Sequence, residues 1–170
     1  MKRVLKLLML SCCFLVVTNV MAQKFGHTNS IELYSSLSEW KSAEKQLETY
    51  AAQLQNQLKT DEEAFYKDLQ AFQKNIQAGL ISQAQADQKK AEFQKREQSL
   101  LKKQQDAQKK ASEKELALFG PIKDRVNNAI KGVMNDGNYA YIFDIAQGVI
   151  VPGPAGDDVT GKIKTKMGVQ

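Results

Sequence analysis

Between Lys41 and Leu118 the chain runs for 78 positions with no proline and a single glycine, Gly79. Ala, Gln, Lys, Glu and Leu dominate the stretch, and all are good helix formers. One unbroken helix of this length would be a rod of ~117 Å. Gly79 divides it. In "NIQAGLISQAQAD" the glycine stands where a helix end favours positive φ, and Ser82 follows as an N-cap. The pattern predicts two long antiparallel helices meeting at a tip near Gly79.

The apolar spacing agrees. Leu47, Ala51, Leu54 and Leu58 step by four, three and four, and so do Phe65, Leu69, Phe72 and Ile76. The gap of seven from Leu58 to Phe65 implies either a polar residue in the seam or a stutter. On the return helix Ala86, Phe93, Leu100 and Ala107 recur every seven, with much alanine and glutamine between them. These faces are too narrow for an ordinary three-helix bundle. They suit a two-helix coiled coil with a thin core, opening easily towards its tip.

The chain ends are different in character. "MKRVLKLLMLSCCFLVVTNVMA" has a basic start, a short apolar centre and a small-residue end, the pattern of a secretory leader over residues 1–22, cleaved near Ala22-Gln23. Its loss takes three basic residues and no acidic ones, so the net charge of +5 becomes +2. So slight a balance does not argue for nucleic acid. Cys12 and Cys13 leave too, so the remaining chain has no disulfide, thiolate ligand or cysteine nucleophile.

Lys24–Thr28 reads as a short strand, with Asn29 or Ser30 capping a short helix. Gly120-Pro121 is expected to break or kink the helix. Ile122, Val126, Ile130 and Val133 form a fresh apolar stripe that Gly137 ends. Then comes the most strand-like run, "NYAYIFDIAQGVIVPG". It predicts a hairpin: a strand Tyr139–Ile145, a turn at Ala146-Gln147-Gly148, and a return along Val149–Val151. A hairpin alone is marginal in water, and the strand near Lys24 is its expected partner. After the loop "PGPAGDD", Asp157 or Asp158 caps a last helix with Val159, Ile163 and Met167 facing inward.

The chain is thus expected to be mainly α with a small β body (α+β). Residues 23–170 form one domain, with residues 23–40 and 119–170 as the body and 41–118 as the arm. Phe25, Tyr139, Tyr141, Ile142, Phe143, Val149 and Val151 are candidates to build the body and its oligomer contacts.

Catalytic chemistry finds little footing. His27 is the only histidine, so no His-His-carboxylate cluster or Ser-His pair forms within one subunit. No G-x-x-x-x-G-K loop occurs. Asp61-Glu62-Glu63 reads as a solvated helix face. Neither an enzyme nor a cofactor is expected. Charge separates the two arm helices instead. Residues 89–110 hold eight basic and three acidic side chains, against five basic and seven acidic over residues 41–88. The two helices complement each other, or Lys89, Lys90, Lys95, Arg96, Lys102 and Lys103 form a basic surface for an acidic partner or lipid head groups.

The order of parts resembles the Skp/OmpH-type periplasmic chaperones. "QKFGHTNSIEL", continued by "SAEKQLE", is similar to that family's opening strand and helix start. "VMNDGNYAYIFDIAQGVIVPGPAGDDVTGKIKTKMGV" is similar to its ending. His27 departs from the pattern, standing where a hydrophobic residue or tyrosine is more usual. The resemblance implies a homotrimer with a β-rich body, from which helical arms project around a cavity. It implies a periplasmic, ATP-independent holdase that keeps unfolded outer-membrane proteins from aggregating. Its partners would be those clients, and anionic membrane or lipopolysaccharide. Phe65, Phe72 and Ile76 join the six basic residues as candidate contacts. The alternative is a structural coiled-coil protein of the cell envelope, which would need no strands bracketing its coil.

Overall fold

The computed structural model describes residues 23–153 and 156–169; the expected leader, residues 1–22, lies outside them. The chain begins with β1 (Lys24–Thr28) and α1 (Ser30–Ser35), followed by α2 (Ser38–Gln77) and α3 (Gln83–Asp136). β2 (Tyr139–Asp144), β3 (Asp157–Asp158) and α4 (Thr160–Met167) complete it.

The helix ends follow from local chemistry. The Asn29 carboxamide oxygen accepts from the Glu32 N–H at 3.2 Å and caps α1. Ser82 and Gln85 form a reciprocal capping box that starts α3. Gly79, at φ +66°, makes the reversal between α2 and α3. These two helices are antiparallel and form the arm. With 40 residues, α2 is about 60 Å long.

The seam is as thin as the spacing suggests. Leu47, Leu54 and Leu58 are only half-buried, and Ala51 is exposed. The gap between Leu58 and Phe65 is filled by Asp61, also half-buried. The spacing from Asp61 to Phe65 to Leu69 is then four and four, so a polar seam residue and a stutter occur together. Beside Asp61 lies a cavity of about 170 Å³ lined by Leu54, Leu58, Lys103 and Ala107 among others.

The body core is better packed. Leu33, Leu37, Val126, Val159 and Ile163 are fully buried, and Phe119, Ile122, Ala129, Val133, Tyr139 and Met167 close around them. Arg125 ties three elements together through the Glu39 carboxylate and the Met167 carbonyl.

Two expectations are corrected here. First, of the break or kink expected at Gly120-Pro121, the break does not occur, because α3 runs through Pro121 for 54 residues. Proline removes one backbone donor at a cost of about 3 kcal/mol. Phe119, Ile122, Val126, Ala129 and Val133 are all buried in the same core, and at ~1.5–3 kcal/mol per large side chain their burial outweighs that loss.

Second, the hairpin is absent. Val149–Val151 is not a strand, and Val149 and Val151 are each 86% exposed. The turn at its start does form, with the Gly148 N–H donating to the Ile145 carbonyl. The chain then passes to the far edge of β1, where Asp157–Asp158 pairs with Gly26–His27. The sheet order is β2-β1-β3, with both pairings parallel. This route carries Val159, fully buried, into the core behind the sheet, whereas a hairpin return would leave the chain on the wrong edge.

Candidate functional site

Two surfaces stand out: the outer face of the sheet and the shafts of the arm.

Side chains alternate across a strand. On β1 and β2 one face therefore carries Gly26, Thr28 and Ile142, and the other Phe25, His27, Tyr141 and Phe143. The first faces the core. A Cβ on Gly26 would stand 3.2 Å from the Tyr139 ring and 3.3 Å from Val159, so glycine admits both. Tyr139 is buried, and its hydroxyl donates to Asp157 at 2.7 Å while accepting from Lys162 at 2.9 Å. Hydrogen bonds from Tyr139 and Lys24 hold the Asp157 carboxyl below its ordinary value. The Thr160 hydroxyl and N–H do the same for Asp158. Burial pushes Asp144 upward, but the Ser30 hydroxyl and the Ala146 and Ser30 N–H groups outweigh it, and the net shift is down.

The second face is aromatic and open. Phe25, Tyr141 and Phe143 are 41%, 59% and 38% exposed. Their rings form a triangle with centroids 6.2 Å (Phe25 to Tyr141), 6.1 Å (Phe25 to Phe143) and 6.0 Å (Tyr141 to Phe143) apart. In-register pairing of Phe25 with Tyr141 and of His27 with Phe143 builds this ladder. The His27 Nδ1 is buried and has no hydrogen-bond partner among the described residues. Of the seven body candidates, Phe25, Tyr141 and Phe143 share this face. Tyr139 and Ile142 pack inward, and Val149 and Val151 lie on the following loop.

On the arm, opposite charges meet across the seam. Arg96 pairs with Asp68 at 2.7 Å and Lys103 with Asp61 at 2.6 Å. Lys89 meets Glu92 at 2.7 Å and Lys90 meets Asp87 at 3.7 Å along their own helix. Lys95 and Lys102 have no carboxylate at ion-pair distance among the described residues. The basic row is thus largely matched by acidic neighbours.

Phe65 is buried within the arm. Its ring stands edge-on to Phe93 at 5.8 Å, Phe72 lies 5.3 Å from the same ring, and Arg96 covers Phe65 and Phe93 at 5.5 and 5.8 Å. These rings staple the distal arm together. Ile76 is exposed near the tip. The apolar groups that the shafts offer to solvent are Tyr66, Leu101 and Leu116, all well exposed.

Sequence reasoning passed over these three, since Tyr66 and Leu101 each sit one step off the seam and Leu116 two. It also missed the staple at the arm's root. There Trp40 stacks on Tyr34 at 4.3 Å and meets Phe119 at 4.5 Å, joining α1, α2 and α3. Conjunction of a tryptophan and a tyrosine beside the first capped helix was the available signal. Among the described residues no three His, Cys, Asp or Glu side chains gather as a metal site. No described helix is long and apolar enough to cross a membrane.

A two-helix arm hung on a small parallel sheet defines a tentacled α+β protein. The family described as Outer membrane protein (OmpH-like) matches residues 24–167, and the chain belongs to it. None of the curated proteins compared is similar in sequence. Among solved structures, a chain from Caulobacter crescentus, provisionally described as an outer membrane chaperone (OmpH-like), superposes with a TM-score of 0.68. It is 19% identical, and the match covers 85% of this chain and 83% of that one. At that identity the likeness concerns the fold.

Proposed function

We propose that this protein is a periplasmic holdase chaperone. It binds unfolded outer-membrane proteins between its arms without ATP and keeps them from aggregating before insertion. The observation that carries the reading is the arm itself. It is long and thin-cored, and it presents Tyr66, Leu101 and Leu116 singly along its shafts. Such scattered apolar contacts hold many sequences weakly, which a promiscuous binder needs. Unfolded barrel strands have open edges and apolar faces and aggregate readily.

The aromatic face of Phe25, Tyr141 and Phe143 is the proposed assembly surface. Three copies joined there would set three arms around a cavity. Lys95 and Lys102, which have no carboxylate at ion-pair distance among the described residues, are the proposed contacts for acidic client segments.

The test is to dilute a urea-unfolded outer-membrane barrel protein into buffer with the chaperone and follow light scattering. Suppressed scattering at near-stoichiometric trimer is expected. Full aggregation at every ratio would remove the holdase reading. Solution mass tests the assembly separately, and a stable monomer would refute it.

A further inference from the structure

One side of the arm is hollowed from root to tip. Four hollows of about 350, 170, 130 and 320 Å³ follow one another between α2 and α3. The second and third share Asp61 and Lys103, and the third and fourth share Arg96. On α2 the lining residues Gln46, Gln53, Gln57, Ala64, Ala71 and Asn75 recur at steps of four or seven, which is one stripe of a helix. Tyr66 and Leu101 line none of the four. Each stands two positions, or about 200°, round from a lining residue, Ala64 or Ser99, and so lies on the other side of the arm.

Small side chains open this groove. Beside Ala64, Ala71 and Ser99 the half-buried seam residues Leu54, Leu58 and Phe72 form its floor. Its walls carry the carboxamides of Gln53, Gln57 and Asn75, all exposed, and each of these can both donate and accept. From Gln46 to Asn75 the groove is ~44 Å long, the length of ~13 residues of extended chain.

We propose that this groove holds an extended segment of an unfolded client, one strand at a time. A strand without neighbours has unpaired N–H and C=O groups along its edges, and the carboxamides meet them. A docked helix would offer them nothing of the kind, since its backbone groups are bonded internally. Strand side chains alternate, and in a barrel protein one set is apolar. That set stands over Leu54, Leu58 and Phe72 while the polar set faces water. The groove is long enough for a whole membrane-spanning strand of ~9–11 residues. The inference rests on the holdase reading and deepens it. To the scattered contacts of Tyr66 and Leu101 it adds a site that grips the client backbone.

Fluorescence anisotropy of a labelled, urea-unfolded barrel protein diluted into the chaperone gives the dissociation constant. Ala64→Glu with Ala71→Glu puts two long charged side chains into the groove. This pair should raise the constant about tenfold or more, by displacing apolar side chains from the floor. Ala64→Lys with Ala71→Lys should do the same, which separates a blocked groove from a change of charge. Ala52→Glu with Ala91→Glu makes the same change at exposed positions two before the seam residues Leu54 and Phe93. Those positions face outward, and binding should be unchanged. Circular dichroism checks that all three pairs fold. Binding retained in either groove pair, or lost equally in the outward pair, would overturn the proposal and leave the holdase reading standing. A lower solution mass in the groove pairs with binding retained would also overturn it, and would give the groove to a second copy. If the unaltered protein binds no client, both readings fall.

Discussion

Replacing Phe93 with alanine should release the distal half of the arm while leaving the body intact. Phe93 stands between Phe65 and Phe72, with Arg96 above it. A fully buried Phe→Ala change costs about 3–5 kcal/mol. Phe93 is half-buried, so roughly half of that, ~2 kcal/mol, is the appropriate figure. The two ring contacts are included in it. A change of ~2 kcal/mol multiplies the population of the opened arm by about 30. The assay is native-state hydrogen exchange. Amides around Asp61 to Phe72 and Phe93 to Leu100 should exchange about 30-fold faster, whereas those of Val126 to Val133 should not change. Uniform acceleration over arm and body would show that the two unfold as one unit and refute the reasoning. So would no acceleration at all.

Tyr141→Asp combined with Phe143→Asp should give a folded monomer by sedimentation, because both rings face outward. Ile142→Asp should instead lower the melting temperature, since Ile142 packs against the body core. Gly137→Ala should destabilise the body by roughly 1–3 kcal/mol in denaturant titration, because a Cβ there collides with the Tyr139 ring. Acid should loosen the body. Asp144, Asp157 and Asp158 have carboxyls held below their ordinary value of 3.8. The unfolded state therefore binds protons first as pH falls. The stability they contribute is fully present above that value and is lost below about pH 4. Emission from Trp40, the single tryptophan, should report a lower melting temperature there and a flat one from about pH 5 upward.

What the sequence made legible was local. Gly79, the Ser82 cap and the four-three spacing each act within a few residues; the first two appear where they were read, and the spacing holds for Leu47, Leu54, Leu58, Phe65, Leu69 and Phe72 but not for the exposed Ala51 and Ile76. The last helix is similar in its buried face, with Val159, Ile163 and Met167 placed as their spacing requires, but its N-cap is Val159, and the expected caps Asp157 and Asp158 lie in β3. The sheet's third strand was illegible. Aspartate is depleted in strands, and Asp157–Asp158 is held extended by β1, some 130 positions earlier, and by the burial of Val159. Val149–Val151 has the composition of a strand, but the chain leaves the outer edge of β2 and crosses to the far edge of β1 instead. At Pro121 the local rule was sound, and packing of the flanking stripe overrode it. Among the arm candidates Phe65 is buried in the seam, whereas Ile76 is exposed. Spacing marks which residues face the partner helix, so it selected the seam, whereas Tyr66 and Leu101 lie beside it.

The passage of α3 through Pro121 makes the arm a cantilever. No linker separates it from its mount, so a load at the tip is felt as bending at the root. The helix is weakest at Pro121, which has no N–H to give the Ala117 carbonyl and follows the small Gly120. From there to the start of α3 at Gln83 is about 57 Å. A flexure of ~5° at the proline would swing the tip by about 5 Å. Large displacement at the tip therefore needs little distortion in the body, and the arm can swing while its mount stays closed.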